Sequence, residues 1–344
     1  MLGLSALVLL ANKEPMQNTG SKPALAMEAG FQRYGKLRGE LTAREWVQSC
    51  EPGKTVEIMV CRPPNLPTQE IISDSVTVEG GRVLRKISGP LNRGQQQMWC
   101  LEVMPEAKTM TVIMKAEIWS YIQANAVSTE PVTMTPQFVS LGEEVSYDYE
   151  HPKFQEWYKK WEMQKGESER WSEYIERTYK VLDKCFKYSK IPAGPGGRRG
   201  DSQHASGICQ LTEFGCQTAA TLYGAVLRKQ HIPCFQVYGG FWSQSGNDTL
   251  SHSFLYANLA PYGWKLLDPT SALDGKSYGA SEGVIRYFVL NAVQIAGFMD
   301  VERRNLKVGS TSAYYFINAG TSAKGGGMAK TSPDKREIRF RKLP

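Results

Sequence analysis

Three residues, met in chain order, have the types that nucleophilic acyl chemistry needs: Cys216, His252 and Asp268. Cys216 heads an amphipathic run to Arg228, in which Ala219, Leu222, Tyr223, Val226 and Leu227 fall at helical spacing. A thiol attacks as thiolate, and a free cysteine is mostly protonated at neutral pH. The first turn of a helix lowers that barrier, because its unsatisfied N–H groups and the helix dipole favour an anion. A histidine within reach takes the proton, and a carboxylate on the far ring nitrogen fixes the tautomer and stabilises the imidazolium.

The partners follow from a short inventory, since the chain has four histidines. His151 precedes Pro152 in a linker, and His231 ends the Cys216 helix, about 22 Å from its start. His204 and His252 remain. Of these, His252 lies in a predicted strand, His252 to Ala257, followed by another that ends in Asp268. Cys209 is a rival nucleophile within Gly207-Ile208-Cys209, and is read instead as a loop or pocket-wall residue. Gln210, six residues before Cys216, resembles in its spacing the oxyanion-hole glutamine of papain-like enzymes, and that resemblance implies a candidate second donor beside the Cys216 N–H. Cys234 reads as buried packing.

The elements that would position these residues point to an α+β fold. From residue 43 to 140 the chain is β-rich. Val56, Ile58 and Val60 alternate, and Gly80-Gly81 separates two strand-like runs as a predicted hairpin. This is the pattern of a small antiparallel sandwich. Between 152 and 187, Trp171, Tyr174, Ile175, Thr178, Leu182 and Phe186 recur at helical spacing as a core-facing stripe. Pro192 to Gly197 breaks that helix into a loop expected to be mobile. The division expected is a segment at 1–42, a β-sandwich accessory domain at 43–140, a catalytic domain at 141–318, and a disordered basic tail at 319–344.

Residues 205–270 resemble the core of the transglutaminase-like superfamily, in particular its bacterial-type members. Cys216, Ala220, Leu222, Arg228, Ile232 and Pro233 match its Cys-x-x-x-Ala-x-Leu helix, the Arg twelve residues on, and the Ile-Pro beyond. His252 and Gly263 to Thr270 match its histidine strand and Gly-Trp-x-x-Leu-Asp-Pro-Thr element. The resemblance implies a papain-like transglutaminase core preceded by a small β-sandwich, with Cys216, His252 and Asp268 as a catalytic triad. It implies a cysteine peptidase or amidase acting on peptide or protein substrates, with protein-glutamine transamidation or a non-catalytic binding protein as the alternatives. Thr218, His231, Phe235 and Phe254 depart from the common pattern and bear on substrate choice rather than on the triad.

Composition narrows the partners. Of the formal +7 charge, residues 321–344 carry seven basic against two acidic residues, a net +5, so the body is nearly neutral and a nucleic-acid face is not expected. Seven cysteines without a CxxC pair give no zinc-site signature, and no metal or organic cofactor is expected. Leu2 to Ala11 is apolar but short of the roughly 20 residues of a stable membrane span. It is similar to the apolar part of a secretory signal, so export (periplasmic, cell-surface or secreted) is favoured over a cytoplasmic location. Oligomeric state and cysteine pairing are not set by these features.

Overall fold

The computed structural model describes residues 32–66, 69–90, 97–124, 146–189, 193–195, 200–242, 249–261, 264–272, 286–292, 297–301, 304–308, 317–321 and 330–344. The apolar stretch at 2–11 and half of the glycine-rich loop at 192–197 lie outside them. In chain order come β1 (Gln32–Gln48), β2 (Val56–Cys61), β3 (Gln69–Glu79), β4 (Gly81–Pro90), β5 (Gln97–Pro105) and β6 (Met110–Ala124). Then follow α1 (Pro152–Lys160), α2 (Trp171–Cys185), β7 (Lys187–Tyr188), α3 (Ala205–Ile208), β8 (Glu213–Phe214) and α4 (Cys216–Lys229). Next are β9 (Cys234–Trp242), β10 (Thr249–Asn258), β11 (Trp264–Leu267), β12 (Arg286–Ala292), β13 (Gly297–Val301) and β14 (Arg304–Val308). The last are β15 (Ile317–Thr321) and β16 (Lys330–Lys342). The class is α+β and sheet-rich.

Two four-stranded antiparallel sheets, ordered β16-β1-β6-β3 and β15-β2-β5-β4, share one core. Leu41, Val112 and Met114 of the first meet Val56, Ile58, Leu101 and Val103 of the second. The expected alternation in β2 gives way to burial of all six residues, because this strand lies inside its sheet with both faces covered. The predicted hairpin at Gly80-Gly81 is corrected. β3 pairs with β6 and β4 with β5, so the chain bends there from one sheet into the other. Gly80 sits at φ +76°, and a Cβ on it would meet the Thr109 carbonyl oxygen at 2.9 Å. Only glycine fits such a corner.

The disordered tail expected from 319 is corrected as well, as is the boundary at 43. β1 begins at residue 32, and β16 pairs with it antiparallel, Leu41 opposite Phe340 and Ala43 opposite Ile338. Ile338 and Phe340 are buried while Arg339 and Arg341 face solvent, the alternation of a half-buried edge strand. Basic residues on that edge discourage pairing with another chain. The Phe340 ring occupies the place a side chain at residue 39 would need, and Gly39 leaves it free.

The remaining elements put helices against an antiparallel sheet ordered β11-β10-β9-β12. α4 is buried along its whole length from Thr218 to Arg228, wider than the stripe its spacing predicts. Leu255, Ala257 and Leu267 of the sheet share a core with it, and so do Tyr174 and Leu182 of α2 and Phe186 at its C-cap. The Thr178 and Tyr223 hydroxyls meet at 2.8 Å inside that core. Tyr238 of β9 packs instead into the core of the first two sheets.

α4 ends in a Schellman motif: Ile232 N–H donates to Leu227 O at 3.0 Å and His231 N–H to Arg228 O at 2.9 Å. His231 therefore holds a left-handed conformation, φ +58°, that glycine adopts without strain. His231→Gly is expected to raise stability by about 1 kcal/mol, read as a higher urea midpoint at unchanged slope.

Candidate active site

Cys216 is the first residue of α4, and Gly215 precedes it as N-cap without a side-chain cap. A Cβ on Gly215 would meet the Ser189 carbonyl oxygen at 2.9 Å, so glycine lets the loop approach this closely. The first N–H groups of α4 are thus not taken by a capping side chain. Cys216 as a residue is half-buried. Its sulfur is hydrogen-bonded to the His252 ring and to the Ser253 backbone N–H.

His252 lies on β10, and its Nε2 is 2.8 Å from Asp268 Oδ2, which leaves Nδ1 for the thiol. Both side chains are almost fully enclosed, at 4% and 1% exposure, so their attraction is little screened by solvent. Asp268 follows β11, and its other oxygen accepts the Thr270 N–H at 3.1 Å. The Phe254 ring stacks on the imidazole at 5.9 Å between centroids. The structure therefore brings Cys216, His252 and Asp268 into one hydrogen-bonded row.

The electrostatics favour a charge-separated pair. Burial opposes the Cys216 thiolate, but the His252 hydrogen bond and charge, with the Ser253 N–H, outweigh it and draw the thiol below its usual range. Burial likewise opposes charge on His252. The Asp268 carboxylate and the Cys216 sulfur outweigh it and push the imidazole up to about 10. Both shifts run in the direction that favours a thiolate facing an imidazolium. A raised histidine contributes stability that is complete below its unfolded value, about 6.5, and lost as pH rises through about 10.

The other sequence candidates go elsewhere. Gln210 is exposed, and its amide nitrogen contacts Cys209 Sγ at 3.5 Å, so its recorded partner is not the Cys216 site. The rival Cys209 is buried, donates to Ser206 O at 3.3 Å, and is raised by that burial. Cys234 is fully buried and donates to Gly224 O at 3.5 Å. His204 pairs with Asp201 at 2.7 Å beside α3, and His151 caps α1. Arg228 is 1% exposed. Its Nε and Nη2 donate to Cys234 O at 3.0 and 2.7 Å, and its guanidinium lies 5.0 Å from the Tyr147 ring centre. Sequence reasoning missed Ser253, whose contribution is a backbone N–H and leaves no mark on residue type.

No family model matches the chain, and no curated protein matches it significantly. Laid over a solved protein of Cytophaga hutchinsonii described as a candidate cysteine protease, it gives a TM-score of 0.58 at 12% identity. The overlay covers 91% of this chain and 93% of that one. The two share a fold. The periplasmic domain of TgpA from Pseudomonas aeruginosa gives a TM-score of 0.35 at 14% identity, over 77% of this chain and 81% of that one. That score is too low to carry an argument. Among the described residues no helix is long and apolar enough to cross a membrane, and no cluster of three His, Cys, Asp or Glu side chains is arranged to hold a metal.

Proposed function

We propose that this protein is a cysteine-dependent amidase or peptidase on a papain-like, transglutaminase-like core, with the sandwich as accessory unit. The observation that carries this reading is the row of hydrogen bonds from Cys216 through His252 to Asp268, with the sulfur at a helix start. The Cys216 thiolate attacks an amide carbonyl carbon. The C–S bond forms as the carbonyl π electrons move to oxygen, which the Cys216 N–H is placed to meet. His252 gives its proton to the amide nitrogen, the C–N bond breaks, and the amine leaves behind a thioester. Water then attacks that thioester and passes a proton to His252, the carboxylic acid leaves, and the thiolate–imidazolium pair returns. An amine in place of water would make the same site a transamidase. Peptide or protein is the substrate class proposed, and an exported location fits such a substrate.

Alkylation by iodoacetamide tests the reading without a known substrate. Cys216 is expected to react at pH 6 well above the rate of an ordinary thiol, because its thiolate persists where free cysteine is protonated. The sign on the alkaline side is opposite for turnover. Peptide hydrolysis should decline as pH rises through about 10, when His252 loses the proton it must donate. A Cys216 that alkylates at pH 6 no faster than free cysteine would sink the proposal and leave a binding protein as the reading.

A further inference from the structure

We infer that Gln236 is a positioning residue that sets the Cys216–His252 contact by gripping the first turns of α4. The inference rests on the function proposed above. Gln236 lies on β9, is fully buried, and faces Leu255 of β10, the strand that carries His252. Its Oε1 accepts from Thr221 Oγ1 at 3.2 Å, and its Nε2 contacts the Gln217 carbonyl oxygen at 3.4 Å. Gln217 and Thr221 are four residues apart, so the carboxamide holds one helical turn at both ends. That turn begins one residue after the nucleophile.

The rest of the helix–sheet interface gives the grip its purpose. Ala219, Ala220, Leu222 and Val226 are fully buried apolar side chains, and apolar burial has no direction of its own. Such packing tolerates a small shift of the first turns of α4, because the bonds of Arg228 to Cys234 O and of Cys234 to Gly224 O tie down only the C-terminal half of the helix. Gly215 offers no cap to fix the helix start. A buried polar group whose bonds are satisfied in one register alone removes that freedom, the best-attested use of such groups. A misplacement of about 1 Å at a reacting centre costs on the order of 10²-fold in rate. Gln236 touches neither the thiol nor the imidazole in any recorded hydrogen bond, so its action is through α4.

Gln236→Met keeps most of the side-chain volume and loses both bonds. The pH dependence of Cys216 alkylation by iodoacetamide is the readout, because a purely structural glutamine would leave it unmoved in protein that remains folded. The rate at pH 6 is expected to fall roughly tenfold or more, toward that of an ordinary thiol. An unchanged profile in folded protein overturns the inference while leaving the triad intact. Should Gln236→Met fail to fold, Thr221→Ala removes one arm of the grip and keeps a good helix former. A slowed reaction at pH 6 then supports the inference, and an unchanged one overturns it. Ordinary reactivity in the unmutated protein would be the separate failure of the proposed function.

Discussion

Cys216→Ala is expected to abolish peptide-amide hydrolysis while leaving the protein folded. Cys216 stands at the first position of α4, where alanine is a good helix former, and the change removes a single side-chain heavy atom, so little packing is lost. What disappears under the proposed mechanism is the nucleophile, and with it the use of His252 and Asp268. In a comparable triad enzyme, loss of the nucleophile removes on the order of 10⁶-fold in kcat. Hydrolysis of a mixed peptide digest, followed by the release of new amino groups, reads the effect, with circular dichroism as the check on folding. A Cys216→Ala protein that cleaves as fast as its parent would place the chemistry at another residue.

Arg228→Ala is expected to have the largest effect on stability, a loss of roughly 3–5 kcal/mol. Its guanidinium is almost wholly enclosed, spans two hydrogen bonds to the Cys234 carbonyl, and lies over Tyr147. Truncation opens a cavity the size of a long side chain and removes charge-assisted bonds in a region of low dielectric. Lysine does not substitute, since an ammonium lacks the fork that reaches one oxygen from two nitrogens and the flat face that stacks on the ring. Both variants should unfold at lower guanidinium concentration, alanine further than lysine. An Arg228→Ala midpoint within error of the parent's would show that the surrounding helices collapse to fill the site.

How much of this is legible in the sequence depends on whether the signal is local. Cys216, His252 and Asp268 can be picked out because each lies in or beside an element whose pattern is clear over a few residues. The stripe from Trp171 to Phe186 and the helix after Cys216 are legible for the same reason. β16 is hidden because its period of two, Ile338 and Phe340 between arginines, is embedded in a basic segment whose composition resembles a tail. Gly80-Gly81 has the composition of a hairpin, and the crossing to a second sheet comes from pairing of β3 with β6 and β4 with β5, partners farther along the chain. Gln210 and Gln236 are alike as letters. Tertiary contacts alone turn one toward solvent and Cys209 and enclose the other between α4 and the sheet.

The pairing of β1 with β16 also fixes an order of events during synthesis. Leu41 leaves the ribosome long before Phe340, its partner across the sheet, and β2 likewise waits for β15. At about 5–20 residues per second, the early strands spend many seconds with one edge of each sheet unpaired. The four described α-helices, β10 with His252, and β11 with the Asp268 that follows it are made in that interval. The nascent chain therefore exposes adhesive strand edges while the elements carrying Cys216 and His252 are still being made, and the late pairing of β15 and β16 is the event that ends that exposure.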